Sequence, residues 1–435
     1  MNSSHIQLPL KDKIILIIFG LIGLISLIYI GANDDLGHTR LWTNILHNSV
    51  FFTLIALMAV FFISISITAY AGWNVLFRRI WDGMSHFLLV GILLMGIITL
   101  GVYFGWHNLY HWADPETAAK DKIILGKSGF LNKNFYAIGG MGFLCLWFFF
   151  AKKLRELSIA EDDHGDDRRI HYKSMKFYAA MFLPIVGFTS AAAIWLWIMS
   201  LDPHWYSTMF AWYTSASCFV CMIALTILIL IYLKSRGYYH AVNAEHFHDL
   251  GKFMFAFTVF WTYLWFDQYM LIWYGNIGEE TVYFQTRIRE YPVLFYGNLV
   301  LNFVLPFLIL MRNDTKRKYG TLIIVGLIVF FGHWIDLFQM IKPGSLHTAI
   351  EMGNHAAANV QDATSHGVEA TMDHAQAEHH GVGFNVGYSI PGIPEIGLML
   401  GFLAMFVATT LHFLSKAPLT PKKDAFLEES LHHHV

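Results

Sequence analysis

The sequence predicts an all-α polytopic membrane protein with ten transmembrane helices. Three observations carry this expectation. Of 435 residues, 56% are apolar and only 14% charged, too few charges to cover a soluble fold of this length. Apolar runs recur along the chain, most of them near the ~20 residues that a bilayer core demands. The basic residues are sorted between alternate connecting segments, as the positive-inside rule requires.

In chain order, the first apolar run, Ile14–Ile30, follows Lys11-Asp-Lys13. It is longer than a signal-peptide core and no A-x-A cleavage site follows, so it reads as a first membrane helix. Further runs lie at Leu41–Tyr70, Trp81–Tyr103, Phe135–Phe150, Phe177–Leu201 and Tyr206–Leu233. The last four are Lys252–Tyr274, Val293–Met311, Thr321–Met340 and Ile393–Leu414. Runs longer than a bilayer needs imply tilt or extension into water. An even number of helices puts both termini on one side. With the termini cytoplasmic, 21 of the 29 Lys and Arg fall on inside segments. The outside keeps Arg40, Lys120, Lys122, Lys127, Lys133, Arg287, Arg289 and Lys342. Both termini are therefore expected on the cytoplasmic side. No basic patch suits a nucleic acid.

The chain divides into five expected parts. Residues 1–40 hold helix 1 and a short periplasmic loop, 41–201 helices 2–5, and 202–341 helices 6–9. Residues 342–391 form a long periplasmic loop, and 392–435 hold helix 10 and the tail. That loop carries His347, His355, His366, His374, His379 and His380 without cysteines or regular spacing, which favours a loosely ordered segment over a metal site. A second outside loop spans 105–134. The inside stretch Glu161–Arg169 reads as charged and solvated. Cys145, Cys218 and Cys221 lie inside apolar runs; Cys218-Phe-Val-Cys221 lacks the following His of a haem-attachment motif and any second pair for zinc.

Near the centre, Asp202-Pro-His-Trp205 joins two long apolar runs, and Pro203 ends one helix before the next begins. Trp195, Trp197, Trp205, Tyr206, Trp212 and Tyr213 crowd this level like an interfacial belt, leaving Asp202 and His204 at the periplasmic mouth of a helical hairpin. A turn with a helix N-cap is the plain alternative.

Ionisable residues inside membrane helices are costly and mark interiors or water cavities. His333 and Asp336, at i and i+3, share a helix face in the outer half of the membrane, with Gly332 allowing close packing. They suit a proton relay, a quinone contact or a helix lock. Asp267, with Tyr263 four residues before it, is placed to meet them across a bundle. Towards the cytoplasm, Asp82 and His86 form an i,i+4 pair, although Asp82 also suits a helix cap. Asn298 and Asn302 suit interhelical hydrogen bonds. Intramembrane haem has only His47, His86, His333 and His412 to draw on, and no helix carries two at stacking separation.

Leu201-Asp-Pro-His-Trp-Tyr-Ser-Thr-Met-Phe210, Leu109-Tyr-His-Trp-Ala113, Lys127-Ser-Gly-Phe-Leu-Asn132 and Gly332-His-Trp-Ile-Asp336 together resemble the F-subunit family of bacterial alternative complex III. That family belongs with the polysulfide-reductase NrfD-like membrane proteins, and the resemblance covers essentially the whole chain. It implies two four-helix bundles, helices 2–5 and 6–9, with helices 1 and 10 at the periphery. It also implies a place in a quinol:cytochrome c (or other high-potential acceptor) oxidoreductase. The expected partners are multihaem and monohaem cytochrome c subunits, a periplasmic iron–sulfur subunit and a paralogous NrfD-like quinol-binding subunit, with lipids and a terminal oxidase as further neighbours. Haem c, iron–sulfur clusters and quinol then belong to the complex, and this chain binds no cofactor and is not catalytic alone. Its expected role is support and a proton path through Asp267, His333, Asp336, Tyr263, Asp82 and His86. Two other readings stay open: a chain that itself binds and oxidises quinol, and a stand-alone proton-coupled transporter. The latter lacks a matched pair of Gly/Pro-broken helices.

Overall fold

The computed structural model describes residues 6–34, 38–165, 169–364 and 386–434. Among these the fold is all-helical, at 81% helix and without a strand. Ten long helices organise it: α1 (Leu10–Ala32), α2 (Thr39–Thr68), α3 (Val75–Phe104), α4 (Lys133–His164) and α5 (Ile170–Trp197). They continue as α6 (Thr208–Ser235), α7 (Ala244–Gly275), α8 (Pro292–Leu310), α9 (Tyr319–Thr364) and α10 (Ile393–Ser415). Among the described residues, nine of the ten, all but α7, are long and apolar enough to cross a membrane. α7 matches them in length, but Trp, Tyr, Thr, Asp and Gln lower its mean hydropathy. The chain is a polytopic helical membrane protein.

α2 and α6 are the innermost helices. Residues 50–60 of α2 and 216–227 of α6 are buried throughout, which is why both sequences read as apolar on every face. α2 packs on α3, α5, α6, α9 and α10; α6 packs on α5, α7 and α9; α8 lies between α7 and α9. α1 touches mainly α10. These two meet where Gly23 faces Gly401, so closely that a Cβ on either would lie 2.6 Å from the other's Cα. Small residues permit this approach, and packing contact rather than the hydrophobic effect holds helices together in lipid.

Both chain ends lie on one face: Tyr238 Oη accepts from the Gln7 amide at 3.0 Å, and Asn243 Nδ2 donates to the His433 carbonyl at 3.0 Å. The tail packs on this face. His433 Nε2 lies 2.7 Å from Asp249 Oδ2, and Asp162 Oδ1 accepts the amides of Lys422 and Lys423. The stretch expected to be solvated is partly buried for this reason: α4 runs on to His164, Asp162 also takes Arg79 Nη2 at 2.8 Å, and Glu161 accepts the Tyr172 amide. Arg78 pairs with Asp424 on the same face.

On the opposite face, the expected loop at 342–391 is helical through Thr364, because α9 continues past Pro343. A proline inside a helix removes one ladder bond and disturbs the preceding turn. There Arg287 Nη2 reaches the Met340 carbonyl at 3.5 Å. His347 lies on this extension, and the side chain of His355 together with His366, His374, His379 and His380 lies outside the described residues. The 105–134 segment is built from short helical pieces at His111–Ala113, Pro115–Lys120 and Lys122–Gly126. Of the cysteines, Cys218 and Cys221 are buried, whereas Cys145 is exposed on α4.

His107 anchors the 105–134 segment, with its Nε2 at 3.2 Å from the Ile98 carbonyl. Burial lowers its pKa from 6.5 to about 4, against the pull of that hydrogen bond. The unfolded chain then binds more protons between these two values, so His107 favours folding fully above pH 6.5 and loses that contribution as pH falls towards 4. The swing is on the order of 3 kcal/mol. Thermal midpoints measured between pH 7 and 4 should fall more steeply for the native chain than for His107→Gln. Parallel profiles would refute this assignment.

Candidate functional site

The most polar part of the membrane-buried interior is built around one carboxylate. His333 and Asp336 of α9 are both fully buried. Asp336 Oδ1 accepts from the Tyr213 hydroxyl and from Asn298 Nδ2 at 2.7 Å. Its Oδ2 accepts from Ser217 Oγ at 2.8 Å and Trp261 Nε1 at 2.9 Å. All four lone-pair positions are therefore occupied, by donors on α6, α7 and α8. To take up a proton, the carboxylate must release one of them.

Local geometry delivers each donor. Tyr213 and Ser217 stand one turn apart on α6. α8 contains a π turn at Val300–Val304, a widening frequent at functional sites. Here Asn302 Nδ2 donates to Asn298 Oδ1 at 2.5 Å, which leaves the Asn298 amide turned towards Asp336. Gly332 is required opposite, since a Cβ there would meet Asn302 Oδ1 at 2.1 Å.

Because Ser217 donates to Asp336, its oxygen accepts from His333 Nδ1 at 2.9 Å, and the network assigns that tautomer. His333 Nε2 is left buried without a partner among the described residues. A proton can pass along His333–Ser217–Asp336 by hydroxyl exchange only as His333 Nε2 takes one up while Nδ1 releases one.

Outward from Asp336 lies a cavity with space for about one water, bordered by Tyr213, Gln268, Tyr283, Arg287 and Gln339. At its far end Arg287 Nη2 pairs with Asp202 Oδ2 at 3.1 Å. The guanidinium lies over the Tyr283 ring at 3.3 Å, and Tyr283 stacks on Trp205 with centroids 3.8 Å apart. Burial pushes the Tyr283 phenol up to about 12, against the opposing pull of Arg287. Asp202 is thus an ion-pair partner at the mouth and not a helix cap; α6 starts after Ser207. His204 Nε2 lies 2.5 Å from Asp121 Oδ2, and Lys127 Nζ donates to the Pro203 carbonyl at 2.5 Å. Tyr110 donates to the Trp197 carbonyl at 2.8 Å. Sequence stretches far apart in the chain converge on this hairpin. The aromatic belt divides: Tyr206 and Trp212 face outward, whereas Trp197, Trp205 and Tyr213 are buried.

Inward, α6 turns apolar. On α6, residues 218–225 are buried and apolar between Ser217 and Thr226, a gap of about 13 Å. Beyond it, on the termini face, Asp82 is buried beside Arg79 at 3.5 Å. It sits mid-helix in Arg78–Ser85 and does not cap it. His86 Nδ1 meets the Asp82 backbone carbonyl at 2.7 Å and not its carboxylate.

The structure does not bring Asp267 to His333 and Asp336. The α7 residues turned inward are Trp261, Leu264, Gln268 and Ile272; Asp267 is half-buried beside that stripe and Tyr263 is exposed. On another side of α9, His47 Nε2 donates to the Trp334 carbonyl at 3.0 Å and Trp334 Nε1 to Asn48 Oδ1 at 3.1 Å. His412 is on α10, next to Phe413, whose ring packs on His86. Sequence reasoning passed over Tyr213, Ser217, Trp261 and Arg287 as site members. No family model and no curated protein matches the chain.

Asp336→Leu would strand the donors of Tyr213, Ser217, Trp261 and Asn298. At about 1–3 kcal/mol for each unsatisfied buried group, the loss should reach ~4 kcal/mol or more. Asp336→Asn, which retains an acceptor oxygen, should cost markedly less. Thermal unfolding in one detergent compares the two; equal midpoints would count against the four-donor arrangement.

Proposed function

We propose that the chain is an integral membrane subunit of a quinol-oxidising respiratory complex of the alternative complex III type, and that it supplies a proton half-channel on the outer side. The observation that carries this reading is the His333–Ser217–Asp336 chain opening on the cavity closed by Arg287 and Asp202. Three of the stretches that carry the family resemblance meet at that same mouth and the fourth holds Asp336, which supports the assignment. Under this reading the chain holds no redox centre. Haem c and iron–sulfur clusters reside in cytochrome c and iron–sulfur partners, and quinol is oxidised at a paralogous membrane subunit.

Ten crossings are supported by parity. Both chain ends share a face, which nine crossings would not allow, and α7 is long enough to be the tenth. Two four-helix units are supported by cyclic packing: α2–α3–α4–α5 closes through α2 and α5, and α6–α7–α8–α9 through α6 and α9. α1 and α10 pair outside them. The distribution of basic residues supports cytoplasmic termini in a bacterial inner membrane.

In this scheme Asp336 exchanges protons with the outer face through the cavity, and Arg287 holds the route open as the counter-charge of Asp202. The apolar stretch between Ser217 and Thr226 keeps protons from leaking to the Asp82 region, so transfer across it requires a rearrangement driven by the redox partners. A second reading, direct quinol binding, draws on the aromatic and polar lining of the same cavity. Its small size means that Tyr213 or Phe295 would have to swing aside first.

In the assembled complex, Asp336→Asn should preserve subunit composition and quinol oxidation while lowering the protons translocated per electron, measured in proteoliposomes. An unchanged ratio at normal turnover would overturn the proton role. Loss of co-purified quinone in Arg287→Gln, with assembly intact, would favour the second reading.

A further inference from the structure

The closest approach of α1 and α10 at Gly23 and Gly401 has a geometric consequence at the termini face. Two helices that touch at one point and cross there must diverge away from it. About eleven residues from the crossing, at Asp12, an open groove lies between α1, α6 and α10. Ile15 and Leu16 of α1, Leu228 and Ile229 of α6, and Val407 and Leu411 of α10 line it, and its volume is about 280 Å³.

The groove is apolar along its length and charged only at its mouth. Asp12 there is already neutralised: Arg236 Nη2 donates to Oδ1 and the Tyr232 hydroxyl to Oδ2, both at 2.6 Å. Lys11 and Lys13 flank it, both exposed, and the Arg236 side chain is 42% exposed. Lys11 and Lys13, the chain neighbours of Asp12, and its partner Arg236 put three cations near one carboxylate at this end of α1. Along α10 the lining extends from Leu403 to Leu411, about 12 Å. That approaches the ~15 Å depth of one leaflet's hydrocarbon, half of a ~30 Å core.

Two of these quantities select the occupant. A transmembrane helix of about 10 Å diameter would need roughly 900 Å³ over the same ~12 Å, more than the groove contains. A flexible acyl chain adapts to such a slot. Basic residues at the membrane surface next to an apolar cleft favour an anionic headgroup over a zwitterionic one. We infer that this groove is a binding site for one anionic phospholipid, its acyl chain between α1, α6 and α10 and its phosphate at Lys11, Lys13 and Arg236.

The lipid fills the space that the glycine crossing leaves and adds apolar contact between α1 and the central helix α6, which otherwise meet through Asp12 and Tyr232. The site is independent of the Asp336 network, so its test does not depend on the proton role.

The full chain, extracted with its native lipids into polymer nanodiscs and then washed in mild detergent, is analysed by lipid mass spectrometry. One anionic phospholipid per chain should survive washing, enriched over its share of the bulk membrane. Lys11→Gln combined with Lys13→Gln should remove that enrichment while a lipid is still retained. Val407→Trp, which fills the groove, should abolish retention; its unfolding midpoint checks that the fold survives. Retained lipid of bulk composition in the native chain would overturn the inference. So would retention unchanged in both variants, or a photo-crosslinker at position 407 that captures a protein instead of a lipid.

Discussion

A buried carboxylate is tolerable only where donors replace the water it has lost, and Asp336 takes its four donors from three neighbouring helices. Tyr213 and Ser217 fix α6, Trp261 fixes α7 and Asn298 fixes α8, all against one side chain of α9. Sliding any of these helices by one turn, about 5.4 Å, would leave a donor and an acceptor unsatisfied in a medium that cannot supply substitutes. The carboxylate therefore sets the register of four helices at once. The π turn of α8 and the missing side chain at Gly332 follow from the same demand, since together they let Asn298 and Asn302 approach α9.

The same constraint sorts the rest of the polar residues. Near the hairpin face, Arg287 is buried but held from two sides, by Asp202 and by backbone carbonyls at Tyr283 and Met340. Near the termini face, Arg78 and Arg79 are buried against Asp424 and Asp162, and the tail amides complete the latter. Breaking a buried pair by removing one partner costs far more than the pair contributes over an apolar replacement. Such pairs consequently commit the hairpin and the tail to fixed positions. The interior has two polar ends and an apolar middle.

Helix positions were legible because a bilayer imposes length and apolarity on each segment separately. The His333/Asp336 pairing was legible too, since i,i+3 spacing is a property of one helix. What pairs with them was not. A serine, a tyrosine or a tryptophan within an apolar run reads as core, and only the facing helix turns it into a donor. Asp267 illustrates the opposite error. One residue along a helix is about 100° of rotation, and the inward stripe of α7 passes through Gln268, leaving Asp267 beside it. The buried role of Asp162 was equally hidden, because its partners Lys422 and Lys423 are about 260 residues away in the chain. The loop expected from residue 342 is helix through Thr364, and Arg287 reaches the Met340 carbonyl of that same helix.

α9 occupies a position that couples these parts. It packs against α6 and α8 on one side and α2 on another. His333 and Asp336 face the first group, while Trp334, one residue along, bonds His47 and Asn48 of α2 through both its carbonyl and its indole. Further along the same helix, Lys342 is fully buried over the rings of Phe338 and Tyr388, close to the Arg40–Glu395 pair that joins α2 to α10. A rigid helix cannot release one of these networks and leave the others undisturbed. Any movement that frees a donor from Asp336 must also strain the contacts of Trp334 with α2. The hydrogen bonds that hold the buried carboxylate are thereby tied to the packing of α9 on α2.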